Sequence, residues 1–160
     1  MKSILVLRHA KSSWKFPKLS DSQRPLNKRG KQDAPRMGEL LIEENLVPDL
    51  IISSPAVRAI STAEAVAEAS DYENEIQTAE QLYLGGINSF LNIMQNVPNH
   101  FDRVMVVGHN PGVEDYVEIL AGEWVKMPTA ALVHIELPID DWADLSGNIG
   151  GSIRHVWLPK

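Results

Sequence analysis

Arg103-Val104-Met105-Val106-Val107-Gly108-His109-Asn110-Pro111-Gly112 joins an unbroken apolar run to a glycine–histidine turn, and a helix-forming stretch over 113–120 follows it. An apolar run without polar alternation reads as a strand covered on both faces, as in a parallel sheet. Gly108 permits a tight exit, so His109 falls at the carboxyl end of the strand and just ahead of the helix. The same grammar recurs twice outward from this segment. Ile4 to Leu7 runs into Arg8-His9, and Asp49 to Ile52 runs into Ser53-Ser54-Pro55. Pro55 suits the first turn of a helix, and 56–69 is rich in helix formers.

The remaining elements fill the spaces between. Asn27 is a good cap for a helix running to about Asn45, with Met37, Leu40 and Leu41 marking its faces. Pro35 predicts a kink or a restart within it. A short strand over 76–78, a helix over 88–97 and late strands over 131–137 and 153–158 complete the reading, the last two joined by a glycine-rich turn at 147–151. The polar stretch from Lys11 to Pro25 reads as a loop. Strands alternating with helices predict a single α/β domain over 1–160, three layers deep (α/β/α), around a mostly parallel central sheet. In such sheets ligands gather beyond the carboxyl ends of the strands. Three polar segments wait at predicted strand ends here.

Composition narrows the function classes. With 160 residues, 44% of them apolar and 22% charged, the chain has an ordinary globular balance. A net charge of −6 argues against nucleic acid as a partner, yet leaves room for a local cationic pocket. The absence of cysteine excludes disulfides, zinc–thiolate sites and thiol catalysis. The apolar run at the amino terminus is too short for a signal peptide or a membrane span, so a cytoplasmic location with no membrane partner is the simplest expectation.

Taken singly, each polar segment has an ordinary explanation. A strand-end His beside an Arg is often a satisfied polar residue, and Arg58 alone would pass for a surface residue on an amphipathic helix. Together, His9, Arg8, Arg58 and His109 at one sheet edge suit phosphoryl transfer. The transferred group spreads negative charge over three oxygens, and catalysis is mostly positioning and charge stabilisation. Arginines clamp those oxygens through bidentate, charge-assisted hydrogen bonds. A neutral imidazole can attack phosphorus without a separate base, because its unperturbed pKa is roughly 6.5.

The motifs also carry a family resemblance. Leu7-Arg8-His9-Ala10 resembles the Arg-His-Gly signature of the histidine phosphatase (phosphoglycerate mutase-like) superfamily, with Ala10 in place of glycine. Ser54-Pro55-Ala56-Val57-Arg58-Ala59 with Thr62-Ala63, and Val107-Gly108-His109-Asn110-Pro111, are similar to its other two motifs. They occur in the same order over nearly the whole chain. Arg8 to Trp14 and Arg24-Pro25-Leu26-Asn27-Lys28-Arg29-Gly30 resemble the SixA-type phosphohistidine phosphatase branch. The resemblance implies a phosphoglycerate mutase-like fold with His9 as the phosphorylated nucleophile. Arg8, Arg58 and His109 would complete the phosphate pocket, and Arg24 would be either a substrate-binding residue or a structural one. Lys11 and Trp14 stand as pocket-lining or plain loop residues. No metal or cofactor is implied, and Arg8 and Arg58 would repel a metal ion.

One departure bears on substrate. Relatives acting on phosphate esters carry a Glu after a Leu-Tyr pair, where this chain reads Leu82-Tyr83-Leu84, so Leu84 stands where that acid aligns. Without an acid an alcohol departs slowly, whereas a protonated imidazole needs less help. Asp21, Glu80 and Glu114 remain as other sources of a proton. No segment is long enough to build a lid. The expected substrate is therefore a phosphorylated protein, such as a histidine-phosphorylated phosphotransfer domain. A small-molecule phosphomonoesterase and a non-catalytic phosphate-binding module are the alternatives.

Overall fold

In the computed structural model, which describes residues 1–159, the apolar runs form one six-stranded sheet. Its strands are β1 (Lys2–Arg8), β2 (Leu50–Ser53), β3 (Ile76–Thr78), β4 (Arg103–Gly108), β5 (Leu132–Leu137) and β6 (Ser152–Trp157). They lie in the order β3-β2-β4-β1-β5-β6, with the first four mutually parallel. β5 runs antiparallel to β1 and to β6, so it is the one reversed strand. The helices are α1 (Lys28–Glu43), α2 (Val57–Ala69), α3 (Gln81–Leu84), α4 (Ile87–Gln95) and α5 (Gly112–Ala121). The expected three-layer α/β/α arrangement is present.

Alternation along the strands explains the unbroken apolar runs. Ile4, Val6, Ile52, Val104 and Val106 point to one face, where Phe90, Tyr116 and Trp142 pack. Leu5, Leu7, Ile51, Met105 and Val107 point to the other, where Met37, Leu41 and Val66 from α1 and α2 cover them. Each such aliphatic contributes about 1.5–3 kcal/mol when fully buried. Phe90 and Tyr116 stack with ring centroids 3.9 Å apart, joining α4 to α5.

Helix boundaries follow local chemistry. Asn27 caps α1 by accepting the Gly30 N–H at 2.9 Å. The helix ends before Asn45, which takes a left-handed φ of 57°. Of the kink or restart expected at Pro35, the restart does not occur: α1 continues through it as one helix. The carbonyl that loses its i+4 donor there belongs to Lys31, an exposed residue, so water can serve it. The single turn α3 was not expected, because four residues are too few to show a helical period. Of the tryptophans assigned to the core or its edges, Trp142 is fully buried and Trp124 is exposed.

Gly38 lets α1 and α2 approach: a Cβ there would lie 2.6 Å from the Val66 carbonyl oxygen and 2.7 Å from Ala69 Cβ. Neither neighbour can move aside without shifting a helix. Gly38→Ala is therefore expected to destabilise the fold by about 1–3 kcal/mol, read as a lower urea midpoint with an unchanged denaturant slope.

Candidate active site

Because β2, β4 and β1 are neighbours running the same way, their carboxyl ends align. Arg8 lies opposite Gly108, and Ser53 opposite Val107. Past the strand ends the chain stays tied down. His9 N–H donates to the Gly108 carbonyl at 3.0 Å, Ser54 N–H to Val107 at 2.9 Å, and Ala130 N–H to His9 at 3.0 Å. Thr62 on α2 accepts the Ala10 N–H at 2.9 Å and donates to the Arg58 carbonyl at 2.7 Å. The turn after β1 and the helix carrying Arg58 are thereby fixed to one another.

His9 is only 6% exposed. Its Nδ1 lies 2.7 Å from the Ala10 carbonyl oxygen, which can only accept, so Nδ1 carries the proton and Nε2 keeps a free lone pair. Burial first, then the positive charges nearby, push the His9 pKa down to about 3. The imidazole is neutral at any physiological pH. His109 stands beside it, with ring centroids 5.0 Å apart and planes tilted by 51°. Its Nε2 is 2.8 Å from Ser54 Oγ, and its buried Nδ1 has no partner. Burial, reinforced by the Arg58 charge, lowers its pKa to about 4.

Three guanidinium groups converge around these rings. Arg8 donates from Nη1 to the Met127 carbonyl at 3.1 Å, while its buried Nε is unpartnered. That carbonyl also accepts from Asn110, and the Met127 N–H donates to Glu114 at 2.7 Å. Arg58, in the first turn of α2, donates to the Asp21 carbonyl oxygen at 2.7 Å and to its Oδ2 at 2.9 Å. Arg24 donates to Asp21 Oδ1 at 3.1 Å, to the Ser13 carbonyl at 3.2 Å and to Ser12 Oγ, and its guanidinium lies 3.3 Å over the Trp14 ring. The cavity these groups enclose, about 450 Å³, is lined by His9, His109 and five cations, Arg8, Lys11, Lys15, Arg24 and Arg58.

All four residues assigned to catalysis thus meet in one cavity, and Arg24, Lys11 and Trp14 join them. Arg24 combines the two roles left open for it, since it lines the cavity while bracing the loop that walls it. Of the three acids considered as proton sources, Asp21 is an ion-paired carboxylate. The Tyr83 hydroxyl donating at 2.7 Å and the bonds from Arg58 hold its pKa well below the usual carboxylate range. Glu114 is engaged with Met127, and Glu80 lines neither this cavity nor the one beside it. Sequence reasoning missed the counter-charge role of Asp21, the contact of Ser54 with His109 and the part played by Met127. Asp21 stands three residues before Arg24 and Ser54 sits inside a motif, so both left a trace. A backbone carbonyl such as that of Met127 leaves none.

Arginines and lysines around a neutral imidazole give a cavity of positive charge, suited to an anion. The SixA protein histidine phosphatase complexed with tungstate superposes with a TM-score of 0.83 over 96% of this chain and 95% of that one, at 23% identity. A protein assigned as phosphohistidine phosphatase SixA from Agrobacterium tumefaciens gives 0.84 over 99% and 98%, at 26% identity. An uncharacterized chloroplastic protein of Arabidopsis thaliana is 27% identical over 98% of this chain and 77% of its own. A 2,3-bisphosphoglycerate-dependent phosphoglycerate mutase from an Arthrobacter species is 37% identical over 70 residues, which is 42% of this chain and 28% of the mutase. The sequence profile of the histidine phosphatase superfamily (branch 1) matches residues 4–83, spanning Arg8, His9, Arg24 and Arg58. The chain belongs to the histidine phosphatase superfamily.

Proposed function

We propose that this protein is a metal-independent phosphohistidine phosphatase that removes the phosphoryl group from histidine on a protein partner, through a phosphorylated His9. The observation that carries this reading is the state of His9: a neutral ring with its proton held on Nδ1 by Ala10 and its Nε2 lone pair free, inside a cavity of arginines. The oxyanion bound by a SixA relative, tungstate, is tetrahedral and doubly charged like inorganic phosphate, the product of this reaction.

The steps follow from the geometry. The phosphoryl oxygens of the substrate engage Arg8 and Arg58, and the free Nδ1 of His109 is available as a further hydrogen-bonding group. His9 Nε2 attacks phosphorus, the bond to the substrate nitrogen breaks, and that nitrogen takes the electron pair. The substrate imidazole leaves neutral, because its other nitrogen already bears a proton. Water then attacks the phosphorylated His9, inorganic phosphate departs, and the imidazole is restored. Leu84, where esterases of the superfamily carry an acid, is 80% exposed and offers no proton. A phosphoramidate substrate does not require one. Trp14, a residue of its lining, is 78% exposed, so the cavity reaches the surface where a phosphohistidine on a folded partner can approach it.

Incubation with a labelled phosphoryl donor is expected to give an acid-labile, base-stable phosphoenzyme, lost in His9→Ala. Arg58→Ala is expected to keep the label but slow its formation by a factor of about 100–1,000. Turnover of a phosphorylated histidine phosphotransfer domain should exceed that of sugar phosphates in kcat/KM. The reverse ranking would assign a small-molecule phosphomonoesterase, and binding without labelling would assign a phosphate-binding module.

Two further outcomes are expected. Activity persists in EDTA, since the cavity presents arginines rather than metal ligands; loss on chelation with rescue by a divalent ion would contradict the mechanism. An unperturbed histidine nucleophile, with a pKa of roughly 6.5, loses about thirtyfold of its neutral form on going to pH 5. Because the His9 pKa is lowered to about 3, its neutral fraction there stays near one. Phosphoenzyme formation at pH 5, corrected for titration of the donor, is expected within about threefold of its value at pH 7.

A further inference from the structure

A second cavity, of about 360 Å³, adjoins the first, and the two share His109 and Asn110 as walls. Their charges are opposite in kind. Five lysines and arginines line the first. The second is lined by no lysine or arginine and carries the carboxylate of Asp115, with Tyr83 as its aromatic wall. Tyr83 meets His109 edge-on, ring centroids 5.3 Å apart, so the aromatic wall abuts the phosphate-binding side directly.

Asp21 lines neither cavity but ties residues of the two linings together. It takes hydrogen bonds from Arg24 and Arg58, which line the first, and from Tyr83, which lines the second. A carboxylate has about four lone-pair sites. Oδ2 receives Arg58 and Tyr83, whereas among side chains Oδ1 receives only Arg24, and the side chain is 52% exposed. One acceptor position on Oδ1 is therefore open to a donor from outside the chain. Leu84, 80% exposed in the lining of the second cavity, brings no proton donor there.

We infer that the second cavity is the leaving-group subsite, and that Asp21 and Asp115 make it select a neutral or protonated heteroaromatic leaving group over one bearing a further negative charge. This rests on the phosphohistidine reading above. With phosphorus among the arginines, a leaving group extending past His109 enters a space where an imidazole can pack against Tyr83 and donate its ring N–H to a carboxylate. That contact stabilises the protonated substrate ring. When the phosphorus–nitrogen bond breaks and the bond to His9 Nε2 forms, the ring leaves neutral with its own proton. A glycerate or a second phosphate in the same space would face like charge.

Phosphoimidazole, phenyl phosphate and 3-phosphoglycerate serve as probes of the wild type and of Asp21→Asn and Asp115→Asn. The phosphoimidazole to 3-phosphoglycerate ratio of kcat/KM is expected to fall about tenfold in each variant, with phenyl phosphate little changed in Asp115→Asn. Inorganic vanadate should inhibit the wild type and Asp115→Asn equally, because Asp115 lines the second cavity and not the first. An unchanged ratio overturns the inference. So does an equal loss on every substrate with weakened vanadate inhibition, which would show that Asp21 only holds Arg58 in place. Asp115→Asn keeps the test decisive should Asp21→Asn disturb the loop. Normal phosphoenzyme with an unchanged ratio sinks the subsite alone, whereas a wild type that never forms phosphoenzyme sinks the underlying reading with it.

Discussion

Two imidazoles and three guanidinium groups share one cavity, and that crowding is tolerable only because the imidazoles stay uncharged. Burial, reinforced by the neighbouring cations, drives the His9 proton off, so the features that gather arginines for an anion also keep the nucleophile in its reactive form. The Ala10 carbonyl settles which nitrogen remains bare. No separate base is then needed, and none faces His9. Removal of the arginines would weaken more than phosphate binding, since it would also relax part of the pressure that holds the ring neutral.

Unpaired guanidinium groups are costly to bury, and each is balanced differently. Arg58 and Arg24 share Asp21, a carboxylate on the exposed loop. Among the described residues Arg8 has no carboxylate in contact; its partner is the Met127 carbonyl, whose own N–H is held by Glu114. Glu114 thus acts on Arg8 both through the field, which opposes the lowering of its pKa, and through the backbone that orients it. A chain of net charge −6 can hold such a pocket because the compensating acids sit just outside it. Arg8 Nε and His109 Nδ1 are buried without a protein partner, which leaves both available to the oxygens of the proposed phosphoryl substrate.

How much of this was legible in the sequence depends on the range of the interaction. The strand β4 and its exit turn could be read because apolar runs and glycine report local preferences, and the alignment of Arg8, Arg58 and His109 followed from sheet topology. The helix at Asn27 was legible through its cap. At Pro35 the sequence left a restart open that the helix does not make, because what matters there is whether water reaches one orphaned carbonyl, and that is decided by packing rather than by residue type. Asp21, Tyr83 and Met127 were hidden for a related reason. Their contacts with Arg58, with each other and with Arg8 span 37 to 119 residues of chain, and apart from the spacing of Asp21 to Arg24 nothing local announces them.

The loop after β1 is where fold and site become one problem. Its start is clamped from beneath: Asn27 N–H donates to the Lys11 carbonyl at 2.9 Å, and a Cβ on Gly30 would lie 2.2 Å from that same oxygen. Its end is clamped from above by Arg24, which spans Ser12, Ser13 and Asp21 and lies against Trp14. Between these anchors, Phe16 and Leu19 are exposed, and no packed core holds them. The wall of the cavity is therefore rigid at both ends and free in the middle. Polar contacts rather than apolar burial define its shape, so its charges can be reset by single substitutions without disturbing the sheet beneath.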